Sequence, residues 1–254
     1  NSHIITTSGS GDYGIKLTGE YYQIINNNAI LTTGNSGRGI SIKNLTEVDN
    51  SGSITTQGTS AHGIYTYGDS NTISNSGSIT TSNTTAYGIN LNSDSNIVTN
   101  SGTIDTQVYG IYATGSNNQI TNSGTVTTTS GSSAHGIFVS QTGASGTTIT
   151  NSSSGVINSN ANGIYAKDDD IQITNTGTIT SSSDSSDYAI NNEGNNAAIT
   201  NSGTLNSTTY GIYNSGSSAT INNSGTINGG VYIGSGTLSI FDGTISGDVD
   251  GATN

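Results

Sequence analysis

A short phrase, Asn-Ser-Gly-Thr-Ile or a close variant, returns through the whole chain at a mean interval of about 25 residues. Periods of this length are typical of solenoids, in which each repeat forms one coil that stacks on the next. The repeat therefore predicts a single elongated domain over residues 1–254. The asparagines that begin the phrase are Asn1, Asn26, Asn50, Asn75, Asn100, Asn122, Asn151, Asn175, Asn201 and Asn223.

Four apolar columns emerge when the repeats are aligned on these asparagines. One column lies two residues before each asparagine (Ile73, Val98), one lies four residues after it (Ile79), and two flank a further strand (Ile89, Leu91). Mostly β-branched residues in short alternating stretches, separated by Gly, Ser and Asn, indicate strands and turns. Three stretches per repeat predict an all-β fold, a right-handed parallel β-helix of about ten coils of roughly 25 residues with three strands per coil.

The alternation of strand residues places the repeated asparagines inside the coils, because the apolar residue two positions earlier also faces inward. Ten amides stacked at strand spacing can bond to one another, so we expect a structural asparagine ladder. The glycine that follows is expected to supply a positive φ at the corner. These glycines are Gly52, Gly77, Gly102, Gly124, Gly177, Gly203 and Gly225.

Composition excludes several functions. The chain has no cysteine, which excludes disulfides and thiolate metal sites. Its net charge is -12 with only four basic residues, so nucleic acid is not expected as a partner, and nor is membrane insertion, since no apolar run is long enough. The hydrophobic fraction of 29% would suit disorder, but the apolar residues hold a fixed phase in every repeat.

No catalytic residues are predicted. Enzymes with this architecture gather carboxylates and cations in a cleft, whereas the four cations here fall in separate coils. His62 and His135 share a column with tyrosines, which favours packing over catalysis. No cofactor is expected; the acidic run Asp168, Asp169 and Asp170 leaves Ca²⁺ binding as an alternative to a solvated turn.

Two outward columns are candidate binding surfaces. Thr-x-Thr or Ser-x-Thr pairs such as Ser78 and Thr80 leave an ice- or crystalline-surface-binding solenoid as one alternative. A second column carries aromatic side chains, which could form a platform for sugar rings or a partner, or a ladder that only stabilises the sheet. Both alternatives remain open. The aromatic residues are Tyr65, Tyr112, Phe138, Tyr165, Tyr213 and Tyr232.

The phrases Ile-Thr-Asn-Ser-Gly-Thr, as at 120–125 and 199–204, and Tyr-Gly-Ile-Tyr, as at 109–112 and 210–213, resemble the passenger domains of Gram-negative autotransporters and related filamentous adhesins. The resemblance implies a β-helical stalk that forms part of a longer exported protein, located outside the cell or on the bacterial outer surface. It implies a role in adhesion, aggregation or fibre formation.

Partners expected from this resemblance are glycans or proteins of a host or neighbouring cell, or further copies of the chain that associate end to end or side by side. The matched phrases are structural, so no catalytic residue follows from the resemblance. An enzyme that acts on polysaccharide remains the first alternative, and an ice or crystal binder the second.

Overall fold

The computed structural model describes residues 1, 3–140, 145–182 and 187–251. Within these ranges there is no helix, and every strand pairs in parallel with the equivalent strand of a neighbouring coil. The stack makes about nine turns, and each regular coil contributes one strand to each of three faces. The predicted all-β parallel solenoid with three strands per coil is therefore confirmed, while the right-handed winding stays a prediction.

The threonine face contains the strands that follow the Asn-Ser-Gly phrase. Its strands are Ile5–Thr7, Ala29–Thr32, Ser53–Thr56, Ser78–Thr81, Thr103–Thr106, Thr125–Thr128, Val156–Ser159, Thr178–Ser181, the first part of Thr204–Asn214, the first part of Thr226–Ile233, and Thr244–Ile245.

The aromatic face contains the strands that, in most coils, begin at the isoleucine of a Gly-Ile or similar pair. Its strands are Ile15–Lys16, Ile40–Ile42, Ile64–Thr66, Ile89–Asn92, Ile111–Thr114, Ile137–Val139, Ile164–Ala166, Ile190–Asn192, the second parts of Thr204–Asn214 and Thr226–Ile233, and Val249–Gly251.

The ladder face contains the strands that, in most coils, end at a repeated asparagine, and it forms a separate sheet of ten strands. Its strands are Gln23–Asn26, Glu47–Asn50, Thr72–Asn75, Ile97–Asn100, Gln119–Asn122, Thr148–Asn151, Gln172–Asn175, Ala198–Asn201, Ala219–Asn223 and Gly236–Ile240.

Equivalent apolar side chains lie directly above one another in the core. Ile79 pairs in register with Ile54 on one side and Ile104 on the other, and all three are buried. A slip of one residue would turn each of these side chains to the outer surface, so burial of the isoleucines fixes the register. Each coil completes the core of its neighbours.

The asparagine ladder forms as predicted. Asn100 donates through Nδ2 to Oδ1 of Asn122 at 2.8 Å and to the carbonyl oxygen of Gly102 at 3.3 Å, and its own Oδ1 accepts from Asn75 at 2.7 Å. Equivalent bonds of 2.6–3.1 Å connect all ten repeated asparagines. Nine of the ten side chains are almost completely buried, so their mutual bonds replace the water that burial removes.

The prediction of a positive φ at the phrase glycines is wrong. None of them adopts it; most of the left-handed positions lie at a different corner, before the ladder face, and are occupied by residues such as Leu45 (φ 52°) and Ser95 (φ 57°). The glycines are needed for another reason. A Cβ on Gly77 would lie 1.9 Å from the carbonyl oxygen of Gly52 in the preceding coil, so the corner has no room for a side chain.

Two further sets of buried amides accompany the main ladder. Asn71 donates to Asn96 at 3.0 Å and Asn96 donates to Asn118 at 3.3 Å, at the corner that precedes the ladder face. Asn192 donates to Asn214 at 2.6 Å, inside the aromatic face. All five side chains are fully buried, so amide stacking is used wherever adjacent coils place asparagine at the same inward position.

Candidate functional site

The predicted aromatic column lies on the outer side of the aromatic face, where it meets a second ring-bearing column. The second column consists of the residue just before each Gly-Ile or Ala-Ile pair, and its rings contact the rings of the predicted column. In order along the axis it holds Tyr13, Arg38, His62, Tyr87, Tyr109, His135, Asn162, Tyr188 and Tyr210. In the same order the predicted column holds Lys16, Ser41, Tyr65, Asn90, Tyr112, Phe138, Tyr165, Asn191, Tyr213 and Tyr232.

The rings of these columns stack on one another both within a coil and between adjacent coils. Tyr109 lies 5.5 Å from Tyr112 at an interplanar angle of 13° and 5.6 Å from His135 at 5°. Tyr213 lies between Tyr188 and Tyr232, with centroids 4.6 Å away on both sides. Their flat surfaces are thus largely occupied by neighbouring rings, which favours the stabilising ladder for the middle of each run.

Burial agrees with this view of the rings. Phe138 is only 9% exposed, and the predicted surface tyrosines are half-buried between adjacent coils rather than fully presented to solvent. Burial raises the pKa of Tyr87, Tyr109 and Tyr188, so these hydroxyls stay protonated over the physiological range. What the middle of the face offers a partner is ring edges and hydroxyl groups.

His62 and His135 have structural contacts. Nδ1 of His62 accepts from the backbone N–H of Tyr87 at 3.0 Å, and Nδ1 of His135 accepts from that of Asn162 at 3.2 Å. The proton of each neutral ring therefore resides on Nε2. At His62 the Nδ2 atom of Asn90 lies 3.2 Å from Nε2, and rotation of this amide by 180° places its oxygen there as the acceptor. Burial is the main cause that lowers the pKa of each histidine to about 4, and the charges of Arg38 and Lys167 lower it further.

Three of the four cations lie on the aromatic face, although they are distant in sequence. Arg38 lies over the ring of Tyr65 with its guanidinium carbon 3.7 Å from the ring centroid. Lys16 and Lys167 lie over Tyr13 and Tyr165, with Nζ 4.7 and 4.9 Å from the centroids. No sequence pattern indicates this grouping, because the cations occupy three different outward columns.

The three aspartates considered for Ca²⁺ do not converge. Asp168 is fully buried, and its Oδ2 accepts from the backbone N–H of Thr147 at 3.0 Å. Asp169 accepts from the backbone N–H of Asn195 at 2.7 Å, and Asp170 accepts from the side chain of Asn196 at 3.1 Å. In the part of the chain that the structure describes, no group of three or more His, Cys, Asp or Glu residues could hold a metal ion.

Threonine columns occupy two faces. On the threonine face, Asp105 and Asn158 stand in register with Thr80 and Thr127, so that array is interrupted. On the ladder face an uninterrupted column, which the sequence analysis did not single out, extends over five coils. It consists of Thr99, Thr121, Thr150, Thr174 and Thr200.

Comparison with known proteins gives no match: neither a protein-family model, nor a curated protein, nor a solved structure shows significant similarity to the chain. In the described ranges the structure also has no helix with the length and apolar character to span a bilayer.

Proposed function

We propose that this chain is a segment of a non-enzymatic structural and adhesive rod that acts outside the cell or on the bacterial outer surface. The observation that carries the proposal is the aromatic face, where outward side chains in ten coils, from Tyr13 to Tyr232, form one surface on a stack whose core is fixed by ladders. Because the asparagine ladders hold the coils in register, they keep the geometry of this surface constant. The partly exposed tyrosines each present an apolar ring edge and a hydroxyl group.

The partners that suit such a surface are glycans or proteins of a host or neighbouring cell. Tyrosine edges and hydroxyls repeated at strand spacing give many weak contacts rather than one deep pocket, and weak contacts in series sum to a useful affinity. Side-by-side association with further copies is a second use of the same face.

Retention of coated beads tests the adhesive role. Beads that carry the purified chain are passed over epithelial cells and over bacterial lawns, and retention is counted. The double substitution Tyr112→Asn with Tyr165→Asn places on two coils the residue that Asn90 and Asn191 already provide in the same column. The control is Thr121→Asn with Thr150→Asn, which changes two coils on the ladder face.

We expect the tyrosine variant to lose most of the retention and the threonine variant to keep it. Equal retention by both variants, or no retention of wild-type beads, would overturn the adhesive role. Release of reducing ends from a panel of polysaccharides would replace it with the enzyme alternative.

Binding to ice or another crystalline surface is a second candidate, and the uninterrupted threonine column on the ladder face favours it. Hydroxyls and methyl groups repeat there at one strand spacing across five coils. Thermal hysteresis of the wild-type chain that disappears in Thr150→Lys would support this candidate, and its absence at high protein concentration would remove it.

A further inference from the structure

The four cations of the chain fall into two classes. Lys43 forms an ion pair with Glu20 at 3.9 Å, and Lys167 forms one with Glu193 at 3.5 Å. Lys16 and Arg38 make no ion pair with any carboxylate in the described residues. In a chain with a net charge of -12, two adjacent cations without an acidic partner mark a place where an external anion can bind.

These two cations share one aromatic residue. The guanidinium carbon of Arg38 lies 3.7 Å from the ring centroid of Tyr65 and 5.7 Å from that of Tyr13, while Nζ of Lys16 lies 4.7 Å from that of Tyr13. A guanidinium that lies flat over a ring still has N–H donors along its own edge, and these can bind a planar anion. Nε of Arg38 is buried without an acceptor, so the terminal nitrogens of the guanidinium are the donors left for an external anion.

Tyr67 completes the site and is fixed in place. Its hydroxyl donates to the carbonyl oxygen of Leu17, two coils away, at 2.8 Å, and its ring lies 6.1 Å from that of Tyr65. Together with Ser41, these side chains line a shallow, open cavity of about 400 Å³. Its shape suits one residue of a polymer chain that lies across the surface rather than an enclosed small molecule.

We propose that this cavity binds a sugar residue that carries an oxyanion, either carboxylate or sulfate, within an acidic polysaccharide. The Arg38 guanidinium forms a two-pronged contact with the oxyanion, and Lys16 supplies a second charge. The Tyr67 ring packs against the C–H surface of the sugar. The cations cover the rings of Tyr13 and Tyr65, so the partly exposed ring of Tyr67 is the one that meets the sugar.

The inference rests on the proposed adhesive role, since it specifies the ligand class for one part of the aromatic face. The negative chain repels a polyanion at long range, but that repulsion is screened beyond about 8 Å at physiological salt. Recognition therefore depends on the short-range contacts of the two unpaired cations. An acidic polypeptide satisfies the charges but not the ring contact, so we favour the sugar.

Titration calorimetry tests the site with three oligosaccharides of equal length: an oligogalacturonate, a sulfated dextran oligomer and a neutral dextran oligomer. We expect one of the two acidic oligomers to bind at least about tenfold more tightly than the neutral one. Arg38→Gln, which keeps much of the stem and removes the charge, should weaken that binding about tenfold. Lys43→Gln, a cation already paired with Glu20, is the matched control and should change it less than about twofold.

The two acidic arms distinguish a carboxylate from a sulfate ligand. Equal binding of the neutral oligomer, or unchanged binding by Arg38→Gln, would overturn the proposal, as would equally tight binding of oligoglutamate. Urea unfolding checks that Arg38→Gln is folded; if it is not, Lys16→Gln at an exposed position gives the same test. If the chain does not bind acidic sugars but the beads are still retained, only the proposal for this site is overturned. If it binds acidic sugars but the beads are not retained, only the adhesive role is overturned.

Discussion

Mild acid should destabilise the fold through His62 and His135. Each ring is buried and accepts a backbone N–H through Nδ1, so protonation would break a hydrogen bond and place a charge in the aromatic face. Burial first, and nearby cations second, lower the pKa of each histidine from 6.5 to about 4. A histidine in the unfolded chain keeps its ordinary pKa.

The sign and size of the effect follow from that difference. Because the folded pKa lies below the unfolded one, the unfolded chain binds protons first, and the free energy of unfolding falls as the pH decreases from about 6.5 toward 4. At pH 5 the loss is about 2 kcal/mol for each histidine relative to neutral pH. The two together cost about 4 kcal/mol, a large fraction of the stability of a typical domain.

The chain supplies its own matched substitution. Asn162 occupies the same column, and its Oδ1 accepts the backbone N–H of Tyr188 at 2.7 Å, which is the contact that each histidine makes. The variant His62→Asn with His135→Asn should therefore keep the hydrogen bonds and lose the acid sensitivity. The reverse substitution, Asn162→His, should add a third acid-sensitive site.

Urea unfolding at pH 7.5 and pH 5, followed by circular dichroism, measures the effect. We expect the wild-type midpoint to fall clearly more than that of the double variant and less than that of Asn162→His. If all three proteins lose the same stability between the two pH values, the histidines are not the cause and the reasoning is refuted.

Four further substitutions test the ladders and corners. Asn100→Leu removes the acceptor of the Asn75 amide nitrogen and the donor to the Asn122 amide oxygen, so it should lower the free energy of unfolding by about 2 kcal/mol or more in urea titrations despite being more hydrophobic. Gly77→Ala should lower the melting temperature by many degrees, because its Cβ has no space. Leu45→Gly should stabilise the chain by about 1 kcal/mol, since its φ of 52° suits glycine; an unchanged urea midpoint would contradict this. Burial raises the pKa of Asp168, so the ionised carboxylate weakens the fold at pH values above the ordinary pKa of an aspartate. Asp168→Asn should therefore raise the melting temperature at pH 7 but not at pH 3.

The fold was predictable because the repeat period of a solenoid reflects the geometry of its coils. Once Ile54, Ile79 and Ile104 recur at a fixed phase, parallel pairing in register is the arrangement that buries all of them. The inward position of Asn100 and its relatives then follows from strand alternation alone. Both inferences use only local periodicity, which a single sequence contains.

Corner geometry and side-chain grouping were not predictable in the same way. A glycine in a turn is compatible with a positive φ and with a close approach between coils, and only the contact of Gly77 with the preceding coil distinguishes them. The secondary ladder of Asn71, Asn96 and Asn118 lies four residues before the repeated asparagine in only three coils, at the end of a turn, where strand alternation does not yet fix the side-chain direction. The grouping of Arg38 with Lys16 depends on side-chain direction.

The stacking distance of a solenoid limits where an aromatic column can bind a ligand face-on. Successive coils lie about 4.8 Å apart, close to the separation of stacked rings, so rings at equivalent positions occupy each other's faces. Tyr213, enclosed on both sides at 4.6 Å, has no face left for a sugar. A ring face becomes available only where the column is interrupted by a residue of another type.

In this chain one such interruption lies at Arg38 and Ser41, where the aromatic run gives way to cations. A second lies at Asn162 and Asn191, between the run that ends at Tyr165 and the run that begins at Tyr188. At the second one Lys167 is already neutralised by Glu193, so it should not select an anion. Specific recognition is therefore expected at the first interruption, and weak contact through ring edges along the rest of the face.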